Sequence, residues 1–207
     1  MVILYDWDRS PNAFKTKVLL LELGIAFEQR SVDQPALRSV EFRSKFPAGQ
    51  SPALEDDGLL LSESGAIAIH LAEKHGRLIP KDPSRRARML RAMFFEAATV
   101  APILGGRGYF GELYKAEAVG DVKRMEVLRE EAQGLAATLG AMLGPHEYFA
   151  EELSLADIQL YAATSKAIDH GVFRDVPKNL ADWNARIHAR PSVQTAREQY
   201  VPYRAAS

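Results

Sequence analysis

SPALEDDGLLLSESGAIAIHL, residues 51–71, carries three structural signals in one run. A proline opens an apolar triplet, and Asp56-Asp57-Gly58 then separates Ala53-Leu54-Glu55 from Leu59-Leu60-Leu61, the strongest short hairpin signature in the chain. From Glu63 the apolar period lengthens from two residues to that of a helix, which runs to about His75. A hairpin therefore feeds directly into a helix, through the polar stretch Ser62-Glu63-Ser64 at the helix's first turn.

Upstream, residues 2–5 (VILY) read as a short buried strand. From Pro11 the apolar spacing is helical until Gly24, a C-terminal stop. Residues 27–32 (FEQRSV) read as a second strand, followed by a loop with helical character that leads to Phe46-Pro47-Ala48-Gly49. The order predicts a parallel pair joined by a crossover helix, then an antiparallel hairpin and a closing helix. Gly76–Pro83 (GRLIPKDP) is rich in breakers and reads as a linker. Beyond it, amphipathic patterns over 84–104, 121–143, 154–170 and 179–199 carry no strand signal, so this half is expected to be an all-helical bundle. The expected organisation is an α/β domain over 1–76, a linker over 77–83 and an all-helical domain over 84–207.

The chain has 207 residues, 47% apolar and 26% charged, enough for packed cores. Its 26 Lys and Arg balance 27 Asp and Glu, a net charge of -1 that provides no global field for nucleic acid or an anionic membrane. No window approaches the roughly 18 apolar residues of a membrane span, so a cytoplasmic protein is expected. Cysteine is absent, which excludes disulfides, thiolate metal sites and cysteine nucleophiles. Any thiol chemistry must take its sulfur from a ligand. The five histidines show no ligand spacing, and no metal is expected.

Three loops hold the candidate chemistry. Glu63 and Ser64 open a helix that follows a strand, where free N–H groups and the positive dipole end suit a carboxylate. Ser64 can donate to that carboxylate and Glu63 can accept from a neighbouring ammonium, a combination that fits an α-amino acid head group; the alternative is an ordinary N-cap at Ser62 or Ser64. Ser10-Pro11-Asn12 lies between the first strand and first helix, with proline at a helix start, and a hydroxyl there suits either a cap or a bound thiolate. Spacing alone leaves Ser51-Pro52 as a trans strand start, the commoner form, or as a cis turn, which about one in twenty such bonds adopts.

The whole chain resembles the cytosolic glutathione transferase family. Ser10-Pro11-Asn12 with Lys15 and the LLLELG run resembles the family's active-site loop and first helix. Gly49-Gln50-Ser51-Pro52-Ala53-Leu54 resembles its cis-proline segment, and Glu63-Ser64-Gly65-Ala66-Ile67 its glutathione-binding helix start. Ser154-Leu155-Ala156-Asp157 resembles its buried capping motif, and Leu180–Ser192 its closing helices. The resemblance implies a thioredoxin-like N-terminal domain, a cis Pro52, the γ-glutamyl end of glutathione on Glu63 and Ser64, the cysteinyl part on the Ser51 backbone, and the glycyl carboxylate on Gln50. It implies thiolate stabilisation by Ser10 and Asn12, for which Ser10 is expected to be the larger contributor. One departure stands out: family members more often carry an apolar β-branched residue before the proline, where this chain has Ser51. The expected activity is conjugation of glutathione, as co-substrate, to a small hydrophobic electrophile. The alternatives are a glutathione-dependent disulfide reductase, which the Ser-Pro-Asn loop also resembles, and a non-catalytic binding module. Apolar residues along 89–114, with the resemblance, imply a homodimer.

Overall fold

In a computed structural model of the chain, described for residues 1–105 and 119–199, the first strand is the most buried. β1 (Val2–Asp6) is covered on both faces, as its unbroken apolar run requires. It pairs in parallel with β2 (Phe27–Ser31), reached through the crossover helix α1 (Pro11–Leu23). β3 (Ala53–Asp56) runs antiparallel on the other side of β1, and β4 (Leu59–Ser62) antiparallel to β3, giving the order β2-β1-β3-β4. The hairpin turn is the expected one, with Asp57 at φ 49° and Gly58 at φ 88°, the pair of positive values that matches strand twist. Ile3, Tyr5 and Ala53 pack against Leu37, Phe42 and Phe46. These come from two short helices, α2 (Gln34–Arg38) and α3 (Val40–Lys45), capped by Asp33 and Ser39, with Phe46 just beyond the second. Alternation turns Val2 and Leu4 to the opposite face, where α1 and α4 (Ser64–His75) pack together. This is the thioredoxin-like α/β arrangement, followed among the described residues by helices alone, as expected.

In the helical half, the pattern read as one helix over 84–104 is interrupted. α5 (Pro83–Phe95) passes into a π-helical turn, Glu96–Val100, and then α6 (Ala101–Leu104). Ala101 N–H donates to the Glu96 carbonyl five residues back, and the wider turn comes just before Pro102, which lacks the donor an α-helix would use. α7 (Val122–Leu143) starts at the Asp121 cap, and α8 (Leu155–Asp169) follows Ser154. Buried Asp157 accepts from the Ser154 and Phe149 amides and the Trp183 indole at 2.9, 3.1 and 2.9 Å. Burial drives its carboxyl up to about 6 against those bonds, which favour the charged form. The expected run over 179–199 is two helices, α9 (Lys178–His188) and α10 (Pro191–Glu198), because Pro191 restarts the helix.

The chain divides into two units, Met1–Ile79 with the described residues from Ala189 onward, and Pro80–His188. The sequence reading put everything from residue 84 in the second. α10 belongs with the first because Arg190 and Ser192 bond Glu22 of α1, at 2.5 and 2.6 Å. Residues 106–114 of the stretch invoked for the dimer lie outside the described residues.

Candidate functional site

Sheet register brings three loops to one end of the first unit. Tyr5 pairs with Ala53 and Ala53 with Ser62, so the end of β1, the start of β3 and the end of β4 lie in a row. Ser10 follows β1, Gln50-Ser51-Pro52 precedes β3, and Glu63-Ser64 follows β4. The Ser51-Pro52 peptide is cis, as the resemblance implied. β1 and β4 are two strand spacings apart, about 10 Å. An extended tripeptide spans about the same distance. A ligand of that size can reach from Ser64 to the β1 loop.

At the β1 end, Ser10 N–H closes a turn on the Trp7 carbonyl at 2.8 Å. Ser10 caps α1: its Oγ accepts from Ala13 N–H at 3.2 Å, and its carbonyl accepts from Phe14 N–H at 3.0 Å. The same hydroxyl donates to the Ser51 carbonyl at 3.4 Å, and Ser10 is only 6% exposed. Pro11 has no N–H. Asn12 is exposed, and neither its backbone N–H nor its side-chain amide has a partner among the described residues. Its carbonyl alone is engaged, by Thr16 Oγ1 at 3.3 Å. One link escaped the sequence reading: Trp7 N–H donates to Ser51 Oγ at 2.9 Å. The departure noted at Ser51 was the signal for it. Gln50, beside Ser51, is exposed, and Gly49 before it takes φ 59° where a Cβ would meet Arg43 Nε and the Leu37 carbonyl at 2.8 Å. Beneath this end, Asp6 closes β1 in a buried ion pair with Lys17 Nζ at 2.8 Å and accepts from Gln29 at 3.0 Å.

At the β4 end the helix start is bare. Ser10, Asp33, Ser39 and Asp82 each accept a backbone N–H as caps of α1, α2, α3 and α5. At α4 the cap position is Glu63, which makes no side-chain cap bond, so neither Ser62 nor Ser64 fills that role. Glu63 holds φ 72°, a conformation that costs a β-carbon-bearing residue on the order of 1–3 kcal/mol and clusters at functional sites. Its carbonyl accepts from Ile67 N–H at 3.0 Å. The amides of Ser64, Gly65 and Ala66 are thus left at the positive end of the helix, with half-buried Ser64 and exposed Glu63 beside them. The arrangement can take a carboxylate and an ammonium together.

Asp56 and His188 each have side-chain partners within their own unit. Asp56, at the far end of β3, bonds His70 at 2.8 Å and Lys74 at 2.7 Å, and the lysine and histidine bonds hold its carboxyl below the ordinary range despite burial. His188 bonds Tyr161 at 2.8 Å. Among the described residues no cluster of His, Asp or Glu could hold a metal ion, and no helix is long and apolar enough to cross a membrane.

Residues 1–73 match the glutathione S-transferase N-terminal domain family. Disulfide-bond oxidoreductase YfcG of Escherichia coli (strain K12) is 30% identical over 95% of this chain and 94% of its own. A glutathione transferase from Pseudomonas putida, crystallised with one glutathione disulfide bound per subunit, superimposes with a TM-score of 0.82 at 28% identity, covering 98% of this chain and 92% of that one. A glutathione transferase family member from Pseudomonas fluorescens, with two glutathione bound, gives 0.80 at 27%, covering 94% and 91%. With the sheet order, the bare α4 start and this whole-chain identity in agreement, the protein belongs to the glutathione transferase family.

Proposed function

We propose that the protein binds glutathione across the sheet end and uses its thiolate for thiol–disulfide exchange. The α-carboxylate takes the first-turn amides of α4 and the Ser64 hydroxyl, and the ammonium takes Glu63. The cysteinyl backbone pairs with Ser51, whose carbonyl keeps a second lone pair beyond the Ser10 bond, and Gln50 receives the glycyl carboxylate. The sulfur then lies by the start of α1. Donor accounting favours Asn12 over Ser10 there, because the Ser10 hydroxyl already donates to Ser51 while the backbone N–H and side-chain amide of Asn12 are uncommitted among the described residues. That ordering reverses the one drawn from sequence. In the reaction, one glutathione thiolate attacks a disulfide and expels one thiolate; a second glutathione attacks the mixed disulfide and releases the other, leaving glutathione disulfide. Both sulfurs come from ligands, as a cysteine-free chain demands.

The observation that carries the choice of disulfide is the likeness to YfcG, 30% identical over 95% of the chain. The neighbours that bind glutathione disulfide or two glutathiones accord with it. Conjugation to a small hydrophobic electrophile is the second reading, favoured by the length of the Ser10–Ser51 bond, 3.4 Å, which lets that hydroxyl turn to a sulfur instead. Purified protein assayed with glutathione and a mixed disulfide, coupled to glutathione reductase, should turn over disulfide and conjugate an aryl halide at least about a hundredfold more slowly; the reverse ratio establishes conjugation. Retention on immobilised glutathione with neither activity identifies a binding module. The reducing cytoplasm supplies the glutathione and is the compartment we propose. We propose a homodimer as well, on exposed Leu59 and Leu60 of the edge strand β4; a monomeric mass by light scattering at micromolar protein contradicts it.

A further inference from the structure

Ser51 grips both ends of the turn that leaves β1. Trp7 N–H, at the first residue of the turn, donates to Ser51 Oγ at 2.9 Å. Ser10, at the last, donates its hydroxyl to the Ser51 carbonyl at 3.4 Å, and its N–H closes the turn on the Trp7 carbonyl at 2.8 Å. Asn12 lies two residues beyond, in the first turn of α1, so its placement is inherited from the turn. A serine is needed for the first of these bonds. An apolar β-branched residue before the proline, the more usual choice in the family, offers Trp7 N–H no acceptor. A half-buried donor without a partner shifts until it finds one, and here that shift moves the start of α1 relative to β3.

We propose that Ser51 is a positioning residue: its hydroxyl fixes the Trp7–Ser10 turn and thereby sets Asn12 against the sulfur of a peptide thiol paired on the Ser51 backbone. The inference rests on the glutathione reading above and goes beyond it by assigning the side chain, where that reading uses only the backbone. Ser51 touches no reacting atom through its hydroxyl. Its effect reaches the sulfur through donors it places, so it moves the thiol's ionisation and the turnover number and leaves the amino acid anchor at Glu63 and Ser64 alone.

The test compares wild-type protein with Ser51→Val and Ser51→Thr. Glutathione affinity is measured by calorimetry, ionisation of the bound thiol by thiolate absorbance against pH, and kcat and KM by disulfide exchange. Ser51→Val should bind glutathione within about threefold of wild type, raise the bound thiol's pKa by about one unit, and lower kcat about tenfold with KM little changed. Ser51→Thr keeps Oγ and should recover the pKa and most of kcat. A Ser51→Val protein that binds glutathione with unmoved pKa and kcat overturns the inference and leaves the binding reading standing. So does a threonine variant as impaired as the valine one, since shape rather than the acceptor would then be at fault. Wild-type protein that binds no glutathione overturns the reading, and the inference with it. If Ser51→Val does not fold, Ser51→Ala is read by the same measurements and the same outcomes.

Discussion

Ser10 and Ser64 are both hydroxyls at the first turn of a helix, and the fold spends them differently. Ser10 is committed twice, to Ala13 N–H and to the Ser51 carbonyl; no cap bond occupies the start of α4, where Ser64 sits. Ser64→Ala should therefore weaken glutathione binding by roughly 1–3 kcal/mol with the fold intact, the cost of stripping a hydrogen bond from a charged group. Calorimetry with unchanged affinity contradicts that placement. Ser10→Ala should chiefly lower stability, by about 0.5–2 kcal/mol as a lost cap. Asn12→Ala should raise the bound thiol's pKa more than Ser10→Ala does, read from thiolate absorbance in both variants; the opposite order restores the sequence-based ranking. Both residues were legible as candidates because a Pro-started helix after a strand is visible in the chain. The ranking we propose for them rests on a bond between residues 41 apart in sequence, which no local pattern displays.

Elements with strong local chemistry were read well and those defined by partners less so. Asp57-Gly58 specifies its turn through two positive φ values, and the hairpin followed. α2 and α3 have 5 and 6 residues, too short to establish a periodicity, and they form because Asp33 and Ser39 cap them and Leu37, Phe42 and Phe46 find Tyr5 and Ile3 beneath. Pro191 was visible, yet the continuous apolar pattern around it masked the break between α9 and α10. At α4, Gly65 sits where an added Cβ would meet nothing within 4 Å. Gly65→Ala should stabilise the protein by about 0.5–1 kcal/mol through helix propensity, measured by urea unfolding. A loss of stability there would mean that the first turn of α4 is packed more tightly than its bare start indicates.

At the scale of the whole molecule, folding shifts carboxyls of the two units in opposite directions. In the first, burial pushes Glu22 up, but bonds from Arg190 and Ser192 outweigh it and leave the carboxyl below 4.5. Asp57 is drawn down to about 2, chiefly by its bond to the terminal ammonium and then by Lys74. A carboxyl depressed by folding contributes its stabilisation above its ordinary pKa and loses it as pH falls through the folded value. The contact of α10 with α1 should therefore weaken below about pH 4.5. In the second unit, burial raises Asp157 from 3.8 to about 6. A carboxyl raised by folding contributes fully below its ordinary pKa and loses that contribution as pH rises through the folded value, so acidification from neutral strengthens this unit at the start of α8. Sequence showed the Ser154-to-Asp157 motif and, through the resemblance, its burial, but it hid the tie between Glu22 and a helix 168 residues away. Amide exchange at pH 7, 5 and 4 should show protection around Ser154 and Phe149 rising as pH falls to about 5, and protection in α10 falling only below about 4.5. Asp157→Asn should flatten the first trend and Glu22→Gln the second, each without altering the other. Protection at Ser154 that falls steadily with acid would show instead that Asp157 stays charged in the folded protein and is held so by the three N–H groups it accepts.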